Sequence, residues 1–141
     1  MRNLLKIGCV LTALLLVAGI GAAGALPMYL DFSVGRELEV TSIIQQLREL
    51  EENHRSWDGA YQEVPTPFPR PLHAADDQPS EYLWDNQDLS TLGFYPEDED
   101  MYGVYWIEVE SADFTVHGLI EVDGELQHYT ATHQTKVTRQ W

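Results

Sequence analysis

Two histidines, His117 and His128, have the residue type and spacing to bind a metal ion. They flank Asp123-Gly124, which is the strongest β-hairpin signal in the chain. With a two-residue turn, their side chains lie on the same face of the hairpin as diagonal neighbours. Zinc accepts imidazole ligands, but two histidines without a third ligand are more often solvent-facing residues of a sheet. The pattern leaves both interpretations open.

Acidic residues suggest a second kind of site, because calcium binds oxygen ligands. The densest charge run is Glu97-Asp98-Glu99-Asp100, and the hairpin turn contributes further carboxylates. The calcium candidates are Asp98, Asp100, Asp123 and Glu125. Acidic loops are mostly solvated, so a calcium site and a soluble acidic surface are both compatible with the pattern.

No catalytic or cofactor-binding motif accompanies these residues. The chain has no P-loop, dinucleotide fingerprint, nucleophile motif or HExxH sequence. Cys9 is the single cysteine, which excludes an intrachain disulfide and a CxxC site. We therefore expect a protein that is not an enzyme and has no cofactor apart from calcium.

The charge is strongly asymmetric along the chain. All 23 acidic residues lie at or after Asp31, whereas Arg2 and Lys6, two of the eight basic residues, precede it. Nucleic acids and anionic lipid headgroups need basic patches, so the acidic part of the chain is not expected to bind either. A soluble surface or divalent cation binding fits the charge better.

The N-terminal segment is predicted to cross a membrane. Residues 7–30 carry no charged side chain and are long enough to span a hydrocarbon core of roughly 30 Å. Basic residues before the segment and Asp31 after it place the N-terminus in the cytoplasm and the bulk of the chain outside. The alternative is a cleaved secretory signal, for which Ala23-Gly24-Ala25 is a suitable site. We favour an inner-membrane anchor, because the following sequence continues at helical spacing.

Small residues in this segment are spaced to let helices approach closely. A proline near the predicted membrane exit removes one backbone hydrogen bond and bends the helix. The predicted helix-packing residues are Gly19, Gly21, Ala23, Ala25 and Pro27.

Beyond the apolar segment, apolar residues recur at three- and four-residue steps and predict one stripe of an amphipathic helix. The helix is expected to end near His54 to Trp57, since Asp58-Gly59 is a turn signal. The stripe consists of Leu38, Val40, Ile43, Ile44, Leu47 and Leu50, and polar residues including Glu39 and Glu51 occupy the other positions.

A proline-rich connection leads to the strands of the C-terminal region. Five prolines between residues 64 and 79 indicate an extended connection without a helix or central strand. Three strand patterns follow at 102–110, 113–122 and 125–133, and residues 134–141 extend the last strand or fray. In the hairpin, one face is predicted to form the core through Phe114, Val116, Ile120, Tyr129 and Ala131.

These elements predict an α+β fold, with a long N-terminal helix packed on a small antiparallel sheet of about three to four strands. Residues 31–141 are expected to form one globular domain. The predicted divisions are a cytoplasmic leader and transmembrane half at 1–30, an amphipathic helix half at 31–57, a connecting region at 58–101 and a sheet region at 102–141.

In this order, the features resemble those of type IV pilins and type II secretion pseudopilins. Ala25, Pro27 and Tyr29-Leu30 resemble the Ala-x-Pro-x-aromatic-Leu helix segment of these proteins. Gly59-Ala60-Tyr61 resembles the turn that ends their helix, and the sequence LGFYP at 92–96 resembles the element that leads into their sheet. The resemblance implies a pilin-like fold and contact with other pilin-like subunits through the N-terminal helix.

The N-terminus departs from this family's processing motif. Gly8 is the only residue that could serve as the cleavage glycine, and it lies about one helical turn too close to Pro27. With cleavage there, Ala13 would occupy the place of the glutamate that follows cleavage in prepilins. We expect a membrane-anchored minor or accessory subunit of a type IV pilus or secretion pseudopilus. The alternative is a periplasmic or surface binding module on a pilin-type scaffold that does not polymerise.

Overall fold

The computed structural model describes residues 34–70, 80–81, 86–96 and 100–141. Helix α1 occupies residues 34–58 of this part of the chain. The other elements are β1 (Val64–Phe68), β2 (Ser80–Glu81), α2 (Gln87–Leu92), β3 (Asp100–Met101), β4 (Val104–Glu110), β5 (Asp113–Val122), β6 (Glu125–Thr132) and β7 (Thr138–Arg139). Residues 35–141 form one compact unit.

The predicted α+β architecture is confirmed, but the sheet is larger than expected. Five antiparallel strands follow the order β1-β4-β5-β6-β7, and β2 and β3 form a separate two-stranded sheet. The prediction of three to four strands is wrong because it does not include the two edge strands, β1 and β7. Pro65 and Pro67 make β1 hard to recognise as a strand from the sequence. The register of β1 with β4 shifts between Val64 and Phe68. Proline lacks the donor that a central strand needs, yet it is compatible with an edge strand.

The β5–β6 hairpin has the predicted register. Val122 pairs with Glu125, and Gly118 pairs with Tyr129. Asp123 and Gly124 both have positive φ, as a type I′ turn requires. All members of the predicted core face are buried, namely Phe114, Val116, Ile120, Tyr129 and Ala131.

Helix α1 covers this face of the sheet with a narrower stripe than the sequence predicts. Val40, Ile44 and Leu47 are fully buried, whereas Leu38 is 63% exposed. The helix ends at residue 58, next to the expected turn, where Gly59 adopts positive φ. Ile43 and Leu50 are partly buried against the core.

The short helix α2 follows β2 in sequence and has a residue that caps it at each end. Asn86 caps its first turn by accepting hydrogen bonds from the backbone N–H groups of Asp88 and Leu89. Gly93 ends the helix in the left-handed conformation. Leu89, Leu92 and Phe94 are buried, so this segment closes part of the core.

Within the part of the chain that is described, no helix is both long enough and apolar enough to cross a lipid bilayer. The predicted span at 7–30 lies outside the described residues. The same holds for the predicted helix-packing residues Gly19, Gly21, Ala23, Ala25 and Pro27.

Gly118 permits the close contact between α1 and the sheet. A β-carbon at this position would lie 2.7 Å from Ile44 Cδ1 and 2.8 Å from Val40 Cγ2. We expect Gly118→Ala to lower the free energy of unfolding by about 1–2 kcal/mol, because overpacking displaces these side chains. Urea denaturation would measure the change.

The matched control is the same substitution at Gly35, where a β-carbon meets nothing within 4 Å. Gly35→Ala should leave stability unchanged or raise it, since alanine is the better helix former. Adding Ile44→Val to Gly118→Ala should recover part of the loss. Equal effects of the two alanine substitutions would contradict the packing argument.

Candidate functional site

The face of the sheet opposite α1 carries a cluster of stacked rings. We call Trp106, His117, His128 and Trp141 the aromatic cluster. Trp106 on β4 pairs with His117 on β5. His128 lies on the neighbouring strand β6, where it pairs with Leu119 and is therefore the diagonal neighbour of His117. Because side chains alternate along a strand, these residues point away from the core.

Three rings of the cluster, those of Trp106, His117 and His128, are nearly parallel, whereas the Trp141 ring is tilted by 48° to His128. Trp106 stacks on His117 with centroids 4.6 Å apart and planes differing by 2°, and it stacks on His128 at 5.8 Å and 1°. The Trp141 ring contacts His128 at 5.4 Å and is 60% exposed. The indole of Trp106 therefore holds both imidazoles in a fixed plane.

The two imidazoles meet nitrogen to nitrogen. His117 Nδ1 lies 3.1 Å from His128 Nε2, which is a hydrogen-bond distance. The hairpin pattern predicts this pair on one face of the sheet, and the structure brings the two rings into direct contact. One nitrogen must donate and the other must accept, so the neutral pair shares one proton between the rings.

Glu108 borders the cluster on β4. Its Oε2 lies 3.5 Å from His117 Nε2, and its Oε1 accepts a hydrogen bond from Trp106 Nε1 at 3.1 Å. A carboxylate at this position favours the tautomer in which His117 carries its proton on Nε2. His117 Nδ1 is then the acceptor, and His128 Nε2 donates to it.

Burial favours the neutral form of both histidines. It lowers the pKa of His117, and the proximity of His128 lowers it further, whereas Glu108 opposes the shift. Burial also lowers the pKa of His128, again against the effect of Glu108. At neutral pH, the site presents uncharged imidazoles beside a carboxylate, which is the form that binds metal ions.

The calcium candidates are placed apart from this cluster. Asp100 is exposed on β3, and Asp123 and Glu125 are exposed at the β5–β6 turn, while Asp98 lies outside the described residues. In the described ranges, no group of three or more His, Cys, Asp or Glu side chains is arranged to hold a metal ion. Calcium binding stays a prediction.

Two glutamates of α1, Glu39 and Glu51, accept hydrogen bonds from backbone N–H groups of other parts of the chain. The helical pattern of the sequence predicts both on the polar side of the helix. Glu39 Oε1 accepts hydrogen bonds from Tyr102 N, Gly103 N and the Tyr105 hydroxyl, at 2.9, 2.9 and 3.0 Å. Glu51 is fully buried, and its Oε2 accepts from Gln62 N at 2.9 Å. The placement of Glu51 on the polar side is wrong, because the helix buries a face that includes it.

A sequence signal for Glu51 exists in the spacing. Val40, Ile44 and Leu47 follow steps of four and three residues, and a further step of four reaches Glu51. For Trp106 and Glu108, the alternation within β4 predicts the face of the sheet on which each side chain lies, but it does not predict which side chains they contact. The contact between Trp141 and His128 depends on β7, which the sequence does not define as a strand.

Comparisons with known proteins give no relative for the chain: it matches no family model, no curated protein and no solved structure. The class of protein is therefore defined by architecture. It is an α+β domain in which one amphipathic helix packs on a five-stranded antiparallel sheet, with stacked rings on the opposite face of that sheet.

Proposed function

We propose that this protein is a non-enzymatic, membrane-anchored, pilin-like protein that acts as a minor or accessory subunit of a type IV pilus or secretion pseudopilus. The observation that carries the proposal is the packing of α1. Val40, Ile44 and Leu47 of this helix are buried against an antiparallel sheet. In sequence, an uncharged segment of membrane length at 7–30 directly precedes the helix.

Polar contacts across 80 or more residues reinforce this packing. Arg48 of α1 donates to the backbone carbonyls of Thr132 and His133 at 2.8 and 3.1 Å. Arg36 donates to the carbonyl of Glu121 at 2.9 Å. These contacts hold α1 to the sheet near its first turn and again beyond its middle, which suits a domain that is attached to a membrane through the same helix.

Cys9 allows a direct test of subunit contact within the predicted anchor. We expect oxidation of membranes that contain the full chain to produce a disulfide-linked dimer, because assembly brings the N-terminal segments of neighbouring copies together. Non-reducing electrophoresis would detect the dimer, and Cys9→Ser would be the control. The mass of the mature N-terminus would show whether the chain begins at Met1, Cys9 or Leu26, which separates anchor, prepilin and cleaved signal.

The second candidate function is a surface or periplasmic binding module that does not polymerise. The aromatic cluster, in which Trp141 is 60% exposed, favours it, and so does Ala13 in the place of the assembly glutamate. A chain that stays monomeric and is absent from sheared filament fractions would support this function over the first. Gain of filament incorporation by Ala13→Glu would support the pilin-type scaffold.

A further inference from the structure

We propose that His117 Nδ1 and His128 Nε2 together bind a divalent transition-metal ion of the imidazole-preferring class, with Cu²⁺ and Zn²⁺ as the strongest binders. This inference is independent of membrane anchoring and filament assembly. It rests on the distance between the two nitrogens, the fixed planes of the two rings and the carboxylate behind His117.

The nitrogen separation fits two bonds to one ion. With metal–nitrogen bonds of about 2.0–2.1 Å, two ligands at square-planar or tetrahedral angles lie roughly 2.8–3.4 Å apart. The observed separation of His117 Nδ1 and His128 Nε2 is 3.1 Å. The ion would take the place of the shared proton, which would move from His128 Nε2 to His128 Nδ1, so that both imidazoles stay neutral.

The sheet prepares the two ligands for binding. His117 and His128 project from adjacent strands whose pairing runs through eight residue pairs. Stacking on Trp106 further restricts both rings, so little rotamer freedom remains to be lost when an ion binds. For both nitrogen lone pairs to point at one ion, each must turn by about 40° from the line that joins the two nitrogens, given metal–nitrogen bonds of about 2.0–2.1 Å.

Glu108 places a carboxylate beside the other ring nitrogen of His117, which is buried and makes no hydrogen bond with the described residues. Its carboxylate lies 3.5 Å from His117 Nε2, on the ring nitrogen that does not face the proposed ion. Such a partner fixes the tautomer and raises the basicity of the ligand nitrogen. The acidic character of the chain, with a formal net charge of −15, also favours cation binding.

The site is open rather than closed. Because the described residues provide no third His, Cys, Asp or Glu ligand, water completes the coordination sphere of the ion. An open two-histidine site suits Cu²⁺ best, since this ion is at the top of the affinity series for nitrogen ligands.

The test is a titration of the full chain with Cu²⁺ and, separately, Zn²⁺ at pH 7.5, followed by tryptophan fluorescence and by Cu²⁺ electron paramagnetic resonance. We expect one saturable site, quenching of Trp106 by Cu²⁺ and a spectrum with two nitrogen ligands. His117→Asn and His128→Asn should each abolish saturable binding. Glu108→Gln, which keeps both nitrogens, should weaken it by about tenfold or more.

Two control variants separate the site from nonspecific binding. His133→Asn changes an exposed histidine that contacts Glu52 and should leave the affinity unchanged. Trp106→Phe should retain the ion while losing part of the fluorescence change, because the Trp141 ring also lies beside His128. Far-ultraviolet circular dichroism would confirm that each variant is folded. Saturable binding that persists in both His117→Asn and His128→Asn, or a spectrum without two nitrogen ligands, would overturn the proposal.

Discussion

Replacing Glu39 with alanine is expected to lower the free energy of unfolding by about 3–4 kcal/mol. The side chain brings one carboxylate oxygen to three donors, the backbone N–H groups of Tyr102 and Gly103 and the hydroxyl of Tyr105. Tyr105 is fully buried, and its hydroxyl donates its hydrogen bond to the Glu39 carboxylate. Each buried donor left without an acceptor costs about 1–3 kcal/mol.

The same hydrogen bonds offset the cost of removing this carboxylate from water. Burial raises the pKa of Glu39, and the three hydrogen bonds and the nearby Arg36 guanidinium oppose that shift. The Glu39 side chain joins α1 to the turn between β3 and β4. This turn lies 63 or more residues after Glu39 in the sequence. Its loss should therefore loosen the helix from the sheet.

Two comparison variants make this prediction specific. Glu39→Gln keeps a carbonyl acceptor for the three donors and should cost less than Glu39→Ala. Glu37→Ala changes an exposed glutamate on the same helix and should stay within about 0.5 kcal/mol of the parent chain. Urea denaturation would rank the three variants, and equal losses for Glu37→Ala and Glu39→Ala would refute a special role for the half-buried Glu39 carboxylate.

Glu51 is expected to make the stability of the domain fall as the pH rises. Burial raises the pKa of this carboxyl from 4.5 to about 7, against the opposing hydrogen bond from Gln62 N. Its Oε1 is buried and makes no hydrogen bond with any residue that the structure describes. The folded chain therefore binds this proton more tightly than the unfolded chain does.

The direction of the effect follows from that difference in proton affinity. The stabilisation is complete below pH 4.5 and is lost as the pH rises to about 7, above which the carboxylate is ionised in both states. A change in pKa of this size corresponds to at most roughly 3 kcal/mol. Other acidic groups add their own pH dependence, so the informative quantity is a difference between variants.

Glu51→Gln removes the titration while keeping an acceptor for Gln62 N. Measured by urea denaturation at pH 5 and pH 8, this variant should gain stability relative to the parent chain as the pH rises. Glu63→Gln removes the same charge from an exposed position and should show a much smaller pH-dependent difference. Parallel pH curves for the parent chain and Glu51→Gln would show that Glu51 does not titrate in this range.

Local patterns in the sequence predict much of the sheet. Asp123-Gly124 fixes the turn of the β5–β6 hairpin, because both residues adopt positive φ at low cost. Once the turn is set, the alternation of side chains assigns every residue of the hairpin to a face. This is why the predicted core face and the placement of His117 and His128 agree with the structure.

The edges of the sheet are less predictable because their signals are weak. β1 contains two prolines within five residues, which is typical of an extended connection as much as of a strand. β7 has only two residues, and its position depends on pairing with β6 rather than on its own composition. The sequence therefore underestimates the number of strands.

By itself, the sequence determined the α+β class, the hairpin register and most of the apolar stripe of α1, since these follow from turn chemistry and short periodicities. Only the tertiary structure decided that the two imidazoles meet under Trp106, that Glu39 joins α1 to a distant turn and that Glu51 lies inside the domain. The physical reason is that a periodic pattern assigns a side chain to a face. The partners on that face come from strands and helices whose relative positions depend on packing throughout the chain.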